Sequence, residues 1–163
     1  MRKVVANTTP LIALADIGHL DLLQKLYQEI LIPPSVFEEI KSEPARSQIR
    51  QSEWIKILDI KKPASRMAFR SRLHAGEIDV ILLAQEQSAD LVILDDNAAK
   101  KTAKFHGLSV TGTLGILIRA KELGYLSFVK PVMQALLADG FFISEEVQRY
   151  VLKAADEVGT ENS

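Results

Sequence analysis

Short apolar runs alternate with longer segments of helical periodicity along the whole chain, and this alternation restricts the folds that the chain can adopt. The apolar run 3–6 leads through a polar Asn-Thr-Thr segment at 7–9 into a helix-patterned segment that begins near Pro10. The run 91–94 is apolar throughout, which is typical of a central strand covered on both faces. Strands and helices that alternate in this way predict a three-layer α/β/α fold, in which helices cover both sides of a mostly parallel sheet.

The hydrophobic pattern places the strands and helices in one domain. The predicted strands lie at 3–6, 29–32, 54–60, 91–94 and 108–110. The predicted helices begin near Pro10, His19, Ser35, Gly76, Asn97 and Thr113, and two further helices lie near 131–138 and 144–157. The polar stretch 42–53 either continues a helix or forms a mobile arm. We expect one domain over residues 1–163, with a core at about 3–125 and C-terminal helices at about 126–158.

Composition excludes several classes of function. The formal net charge of −1 gives no overall basic field, so any contact with nucleic acid must come from a local patch. The chain has no cysteine, which excludes disulfides, thiolate nucleophiles and zinc sites built on cysteine. The apolar runs are shorter than the ~20 residues that span a bilayer, and the first residues lack a signal-peptide pattern. We therefore expect a cytoplasmic protein.

Polar residues follow the predicted strands at the points where the strands end. Because ligand sites of parallel α/β sheets lie outside the carboxyl ends of the strands, these residues are the candidates for chemistry. They are Asn7, Thr8 and Thr9 after the first strand, Asp95, Asp96 and Asn97 after the fourth, and Thr111, Gly112 and Thr113 after the fifth. Two helices that could border the same edge add Glu38, Glu39, Glu77 and Asp79.

These residues offer oxygen ligands without histidine or cysteine, and such ligands favour a hard divalent cation, Mg²⁺ or Mn²⁺. Cleaving a phosphodiester requires a deprotonated water molecule and neutralisation of the charge that grows on the phosphate, and a cation held by carboxylates supplies both. The pattern therefore indicates phosphodiester hydrolysis. Structural roles are also open for these residues. Asp95 can cap the following helix, and Glu77 can interact favourably with the positive end of a helix dipole. Thr111 and Thr113 can shape a turn at Gly112.

Five short motifs occur in order along the chain. They are Asn7-Thr8-Thr9-Pro10-Leu11-Ile12, Ile32-Pro33-Pro34-Ser35-Val36 with Glu39, Ala75-Gly76-Glu77 with Asp79, Leu94-Asp95-Asp96, and Thr111-Gly112-Thr113-Leu114-Gly115. In this order they resemble the motifs of PIN-domain proteins, and more narrowly those of a prokaryotic branch similar to VapC-type toxins. The resemblance runs from Val4 to about Gly140.

The resemblance implies a metal-dependent endoribonuclease that uses Mg²⁺ or Mn²⁺ and acts as the toxin of a toxin–antitoxin pair. It implies catalytic roles for Asn7, Glu39, Glu77, Asp79 and Asp95, metal coordination by Asn7, Glu39, Glu77, Asp95 and Asp96, and supporting roles for Thr9, Thr111 and Thr113. The implied partners are RNA, a small antitoxin protein and a second copy of the chain in a homodimer. The family generally has Asp where this chain has Asn7, and an amide oxygen can bind Mg²⁺ but cannot act as a base.

Two clusters of basic residues flank the acidic motifs. One cluster contains Lys61, Lys62, Arg66, Arg70 and Arg72, and the other contains Lys100, Lys101 and Lys104. A local basic patch can supply affinity for phosphate, so we predict RNA contact by Arg70, Arg72 and Lys100. Two alternatives remain at this level: a catalytically weak or inactive PIN-like protein that binds nucleic acid or serves as a scaffold, and a phosphotransfer protein that uses Asp95 as its nucleophile.

Overall fold

A five-stranded parallel sheet forms the centre of the molecule. The computed structural model describes residues 2–69 and 73–157. The strands are β1 (Val4–Ala6), β2 (Ile30–Ile32), β3 (Ile55–Ile57), β4 (Leu91–Ile93) and β5 (Val110–Thr111), in the spatial order β3-β2-β1-β4-β5. Every neighbouring pair is parallel. The predicted three-layer α/β fold is confirmed.

The helices account for most of the remaining chain. They are α1 (Thr8–Asp16), α2 (Asp21–Tyr27), α3 (Pro34–Glu39), α4 (Ala45–Gln51), α5 (Ala75–Gln87), α6 (Asn97–Phe105), α7 (Thr113–Glu122), α8 (Lys130–Ala138) and α9 (Glu145–Ala154). A 3₁₀ helix at Pro63–Ala68 precedes α5. In the part of the chain that the structure describes, no helix is long and apolar enough to cross a membrane.

The strand order fixes where a ligand site can form. Strand β1 lies at the middle of the sheet, and every residue of β1, β2 and β4 is buried. The chain moves outward from β1 to β2 and β3, then crosses back to β4 on the other side of β1. The strand order therefore reverses between β1 and β4, and open parallel sheets bind ligands outside the carboxyl ends of the strands at such a reversal.

Differences from the sequence prediction include the end of β3, the end of β5 and the stretch 42–53. Strand β3 ends at Ile57, three residues earlier than expected, because Ile57 pairs with Ile32, the last residue of β2. Farther on, the backbone N–H groups of Lys61 and Lys62 donate to the Glu86 carboxylate, at 2.8 and 2.9 Å. Thr111 belongs to β5, since its carbonyl accepts from the Leu94 N–H at 2.9 Å. The polar stretch 42–53 contains a separate helix, α4, and is not an extension of α3.

Helix α4 is attached to α3 by one arginine. The guanidinium of Arg46 donates from Nη1 to the carbonyl oxygens of Phe37 and Ile40, at 3.1 and 2.7 Å. The same group lies over the Phe37 ring, 4.3 Å from its centroid. The Phe37 carbonyl also accepts from the Ile40 N–H at 3.1 Å, so Arg46 adds a second donor to one carbonyl at the end of α3 and supplies one to the other.

The C-terminal helices are attached to the rest of the chain by apolar packing and by a buried carboxylate. Val151 and Leu152 of α9 belong to the core cluster. Beyond α9, the Glu157 carboxylate accepts from the backbone N–H groups of Val129 and Lys130, at 2.7 and 3.0 Å, and from Lys121 Nζ at 3.0 Å. Glu157 therefore binds the beginning of α8 and the end of α7 together.

This arrangement predicts a pH dependence of stability. Burial by itself raises the pKa of Glu157, but the N–H groups of Val129 and Lys130, together with Lys121, lower it below its usual range overall. A lowered folded-state pKa means that the stabilisation is present above the unfolded pKa of about 4.3 and is lost as the pH falls through the folded value. Glu157→Gln should therefore reduce the free energy of unfolding at pH 7 by about 1–3 kcal/mol. It should also flatten the fall in stability below pH of about 4.3.

Urea denaturation followed by circular dichroism, repeated between neutral and acidic pH, measures both effects. Glu53→Gln is the matched control, because Glu53 is exposed. If Glu157→Gln and Glu53→Gln gave the same pH profile, the carboxylate of Glu157 would contribute no stability through its charge.

Candidate active site at the carboxyl edge of the sheet

Asn7 lies at the reversal of strand order, directly after β1. Its backbone N–H donates to the Ile93 carbonyl at 3.0 Å, which joins the end of β1 to the end of β4. The residue is 6% exposed, and its side-chain oxygen Oδ1 has no hydrogen-bond partner. Within residues 2–69 and 73–157, Oδ1 is the one buried side-chain polar atom without a partner. A buried acceptor without a partner costs about 1–3 kcal/mol, so this atom indicates a site for an ion or a water molecule.

The Glu39 carboxylate connects the beginnings of α1 and α5. Glu39 is the last residue of α3, and its Oε2 accepts from the Thr8 hydroxyl at 3.3 Å. Its Oε1 occupies the space beside Gly76, where a Cβ would collide with it. The glycine of the Ala-Gly-Glu motif therefore leaves room for a carboxylate that belongs to a different helix. This role could not be assigned from the sequence, because it depends on how α3 packs against α5.

The Asp95 carboxylate follows β4 and is held at both oxygens by one residue. Its Oδ1 accepts from the Thr113 backbone N–H at 2.8 Å, and its Oδ2 accepts from the Thr113 hydroxyl at 2.6 Å. Hydrogen bonds to a carboxylate are among the stronger ones in proteins, so this pair fixes the orientation of Asp95. Lys100 Nζ and Asp95 Oδ1 both lie close to Gly112, at 3.2 and 2.7 Å from the place that a Cβ would occupy. A cationic group therefore lies next to the carboxylate.

Three other acidic residues of the predicted site have structural partners. Glu77 is buried, and its Oε1 accepts from the His74 backbone N–H at 3.0 Å, which closes the first turn of α5. Asp96 caps α6, accepting from the Ala99 N–H at 2.9 Å. The sequence left open whether Asp95 caps the following helix, and in the structure Asp96 is the residue that caps α6.

Asp79 is engaged on the far side of α5. The guanidinium of Arg66 donates to both of its oxygens, at 2.7 and 3.0 Å, and the Ser35 hydroxyl donates at 2.7 Å. Two residues along a helix rotate a side chain by about 200°, so Asp79 and Glu77 face different neighbours. The structure gives Asp79 the role of attaching the 3₁₀ helix and α3 to α5.

The three threonines of the prediction occupy different environments. Thr113 is fully buried and holds Asp95, which gives it a supporting position. Thr111 presents its hydroxyl to Gly115 in the first turn of α7. Thr9 is exposed and lines a separate cavity of about 260 Å³ with Ile12 and Leu136. Of the two adjacent threonines of α1, Thr8 and not Thr9 donates its hydroxyl to Glu39, because the first turn of α1 directs them to different sides.

The predicted RNA contacts can be compared with the structure only in part. Arg70 and Arg72 lie outside the described residues. Lys100 lies beside Asp95 and Gly112, at the carboxyl edge of the sheet. Lys101 and Lys104 are exposed on the same helix. Of the three predicted RNA contacts, Lys100 is therefore the one that the structure places.

The donor set can be compared with the needs of a divalent cation. Over residues 2–69 and 73–157, no three histidine or acidic side chains come close enough together to form a metal site by themselves. Mg²⁺ commonly binds through one or two carboxylates while it keeps several waters and takes oxygens from the phosphate of its substrate. The partnerless Asn7 Oδ1 and the carboxylates of Glu39 and Asp95 are oxygen donors of the right kind for such a site.

The chain was also compared with known proteins. A family model described as a PIN domain matches residues 3–157, which is most of the chain. No curated protein gives a significant match.

Proposed function

The chain belongs to the PIN-domain family, whose members are generally nucleases, and from this premise we propose that it is a metal-dependent endoribonuclease. Its reaction is the hydrolysis of phosphodiester bonds in RNA, with Mg²⁺ or Mn²⁺ as the cofactor. The observation that carries the proposal is the buried Asn7 Oδ1 without a partner, at the reversal of strand order between β1 and β4.

We assign Asn7, Glu39 and Asp95 to the site that holds the cation. The Asn7 amide contributes a neutral oxygen, and the two carboxylates contribute the negative charge that a divalent cation requires. When bound, the cation would neutralise charge on the phosphate and lower the pKa of a water molecule. Glu77 follows Gly76 in the first turn of α5, and we assign it to the cation site as a further oxygen donor. Asp96 and Asp79 receive structural roles, as a helix cap and as an ion-pair partner.

We assign the other roles in the reaction to side chains of this chain. Asn7 cannot accept a proton, and Asp95 accepts a hydrogen bond from Thr113 at each oxygen, whereas the described hydrogen bond of Glu39 is at Oε2. We therefore assign Glu39 to take the proton of the attacking water. Lys100, beside Asp95, supplies positive charge for the phosphate of the substrate. Thr113 is a positioning residue, because it acts through Asp95.

The proposal is tested by incubating the purified protein with end-labelled RNA of mixed sequence. We expect internal cleavage with Mg²⁺ or Mn²⁺ and none in EDTA. Folded protein that left RNA intact with either cation, over a range of substrate sequences, would refute the nuclease assignment.

Metal binding by Asn7 has a separate prediction that does not depend on catalysis. A cation at one hundred times its dissociation constant should stabilise the folded chain by about 2.7 kcal/mol, and so raise Tm by about 5–10 °C. Asn7→Ala removes an acceptor that has no partner in the metal-free protein, so Tm in EDTA should change little. The rise with Mn²⁺ should shrink markedly.

Differential scanning fluorimetry in EDTA and across a Mn²⁺ series measures this effect. Asn97→Ala is the control, because Asn97 is exposed at the first position of α6 and lies close to Asp95 in sequence. An unchanged Mn²⁺ response in Asn7→Ala would remove Asn7 from the metal site.

One alternative function is favoured by a specific residue. Asn7 carries no charge where the family generally has Asp, which favours a PIN-like protein that binds nucleic acid or acts as a scaffold with weak or no catalysis. Stabilisation by Mn²⁺ together with RNA binding, but without cleavage, would support this alternative. The phosphotransfer alternative is disfavoured, because such a protein needs further acidic groups after the first strand, and Asn7, Thr8 and Thr9 follow β1 here.

The wider role that we propose is that of a toxin similar to the VapC-type branch, acting in the cytoplasm, with a small antitoxin protein and a second copy of the chain as partners. The resemblance of the five motifs supports this role. It is tested by inducing the chain in cells, where growth should stop with the natural sequence and continue with a catalytically inactive variant.

A further inference from the structure

Three aromatic rings form a cluster at the end of α6, in which Phe105 and His106 are exposed and Phe69 is half-buried. The His106 ring lies between two phenylalanines: its centroid is 5.2 Å from that of Phe69 and 5.5 Å from that of Phe105. The His106 and Phe105 planes meet at 87°, in an edge-to-face arrangement. Phe105 is 86% exposed, although its ring is one of the larger apolar groups in the chain. Phe105 therefore presents an apolar ring to water, and its ring contact is with His106.

Lysines lead from the candidate active site to this cluster. Lys100, Lys101, Lys104 and Phe105 fall within an arc of about 140° on α6, at 100° per residue. Lys101 and Lys104 are exposed, and no acidic residue occurs between Asn97 and Phe105. The exposed side of α6 is therefore a cationic stripe with an aromatic end.

The other end of the stripe reaches the proposed catalytic residues. Lys100 Nζ lies next to Gly112 and Asp95. From Lys100 to Phe105 the helix rises about 7.5 Å, at about 1.5 Å per residue. A strand that passes Asp95 could therefore continue along α6 with its phosphates near the lysines and reach the rings within a few nucleotides.

We propose that the exposed face of α6 is a binding track for single-stranded RNA, with phosphates held by Lys101 and Lys104 and one base stacked on Phe105 of the aromatic cluster. This inference rests on the proposed ribonuclease function and deepens it, because it assigns the side chains of α6 that hold the substrate strand. Aromatic rings beside a basic groove are the usual means by which proteins bind single strands without reading their sequence.

Charge and ring exposure favour RNA over a protein partner at this face. A protein interface centred on Phe105 would have to bury Lys101 and Lys104 or pair them with acidic groups, whereas phosphates satisfy both lysines directly. A duplex would gain from the lysines but not from the ring, because its bases are already stacked. Removing the Phe105 ring should therefore weaken the binding of single-stranded RNA but not that of duplex RNA.

The test is binding, measured in EDTA so that no cleavage occurs, by fluorescence anisotropy of a short labelled oligoadenylate. Phe105→Ala should weaken binding by about 5- to 100-fold, the range for the loss of one base stack. Phe105→Tyr should retain affinity, and Phe105→Leu should behave like Phe105→Ala, because leucine is apolar but cannot stack in the same way. Lys104→Ala should weaken binding and make its dependence on salt shallower.

Phe142→Ala is the matched control, because Phe142 is 88% exposed and lies outside α6, after Gly140. Equal effects of Phe105→Ala and Phe142→Ala would overturn the proposal, and so would full affinity in Phe105→Leu. The same conclusion would follow if duplex RNA were as sensitive to Phe105→Ala as the single strand. A change of oligomeric state in Phe105→Ala, seen by light scattering with RNA affinity unchanged, would identify a protein interface and also overturn it.

These results separate the track from the catalytic function. Binding that depends on Phe105 without cleavage in Mn²⁺ would leave the track in place and refute the nuclease assignment. Cleavage in Mn²⁺ together with binding that is indifferent to Phe105 would do the reverse.

Discussion

Asp95→Asn should lower the rate of RNA cleavage by at least about 100-fold, because it removes negative charge from the group that is expected to hold the cation beside the reacting phosphate. The fold should survive. The Asn amide oxygen can still accept from the Thr113 N–H, and the Thr113 hydroxyl can rotate to accept from the new amide group.

The neighbouring residue provides the control for this prediction. Asp96→Asn removes a negative charge one residue away, but Asn caps helices as well as Asp does, so α6 should be unaffected. We expect its cleavage rate to stay within a few-fold of the natural sequence. Single-turnover cleavage of labelled RNA at saturating Mn²⁺, with circular dichroism of both variants, makes the comparison.

The outcome separates two interpretations of the Leu-Asp-Asp motif. A large loss in Asp95→Asn alone would assign the first aspartate to chemistry and the second to the helix cap. Equal losses in both variants would mean that Asp96 also serves the reaction, and a loss in neither would remove the motif from catalysis. The same Asp95→Asn variant is the inactive comparison for the growth experiment.

Arg66→Ala should produce the largest loss of stability among single substitutions of exposed residues. It leaves the Asp79 carboxylate, whose side chain is 3% exposed, with Ser35 as the remaining partner that is identified. Removing one partner of a buried charge pair commonly costs 3–5 kcal/mol. Because the Arg66 side chain is 47% exposed and water can reach the vacated space, we expect about 2–3 kcal/mol here.

Two further variants show whether the loss of stability comes from the Asp79 carboxylate that has lost its ion-pair partner. Adding Asp79→Asn to Arg66→Ala should restore part of the lost stability, since a neutral amide needs no counter-charge. Arg119→Ala breaks an ion pair with Glu122 in which both side chains are more than half exposed, and it should cost no more than about 0.5 kcal/mol. Urea denaturation at neutral pH measures all of these values. Equal losses in Arg66→Ala and Arg119→Ala would show that the Asp79 pair adds no more stability than a surface contact.

This ion pair also explains how part of the basic segment is placed. Arg66 belongs to the cluster that the sequence presented as a patch for phosphate, yet its guanidinium binds an internal carboxylate. The 3₁₀ helix is thereby fixed to α5, and Phe69, which follows it, lies against His106 at the end of α6. Arg66, a member of the basic cluster that was not among the predicted RNA contacts, therefore positions one ring of the aromatic cluster.

The sequence was sufficient for the architecture because the relevant signals are local. An apolar run of three or four residues that ends in polar residues, followed by helical periodicity, can be recognised without knowing what packs against it. Strands β1, β2 and β4 were found within one residue of their ends for this reason. The errors at β3 and β5 arose where distant groups decide the boundary, namely the end of β2 at Ile32 for β3 and the pairing with Leu94 for β5.

What the sequence by itself determined is the α/β fold and the edge of the sheet at which polar groups gather, since both follow from the order and periodicity of residues. The tertiary structure decided which of those polar groups have partners. Asp79 is bound by Arg66, Asp96 caps a helix, and Asp95 is held by Thr113, while Asn7 Oδ1 is buried without a partner. The physical reason is that the partners of a carboxylate can belong to segments far away in the chain, and their positions depend on how whole helices pack.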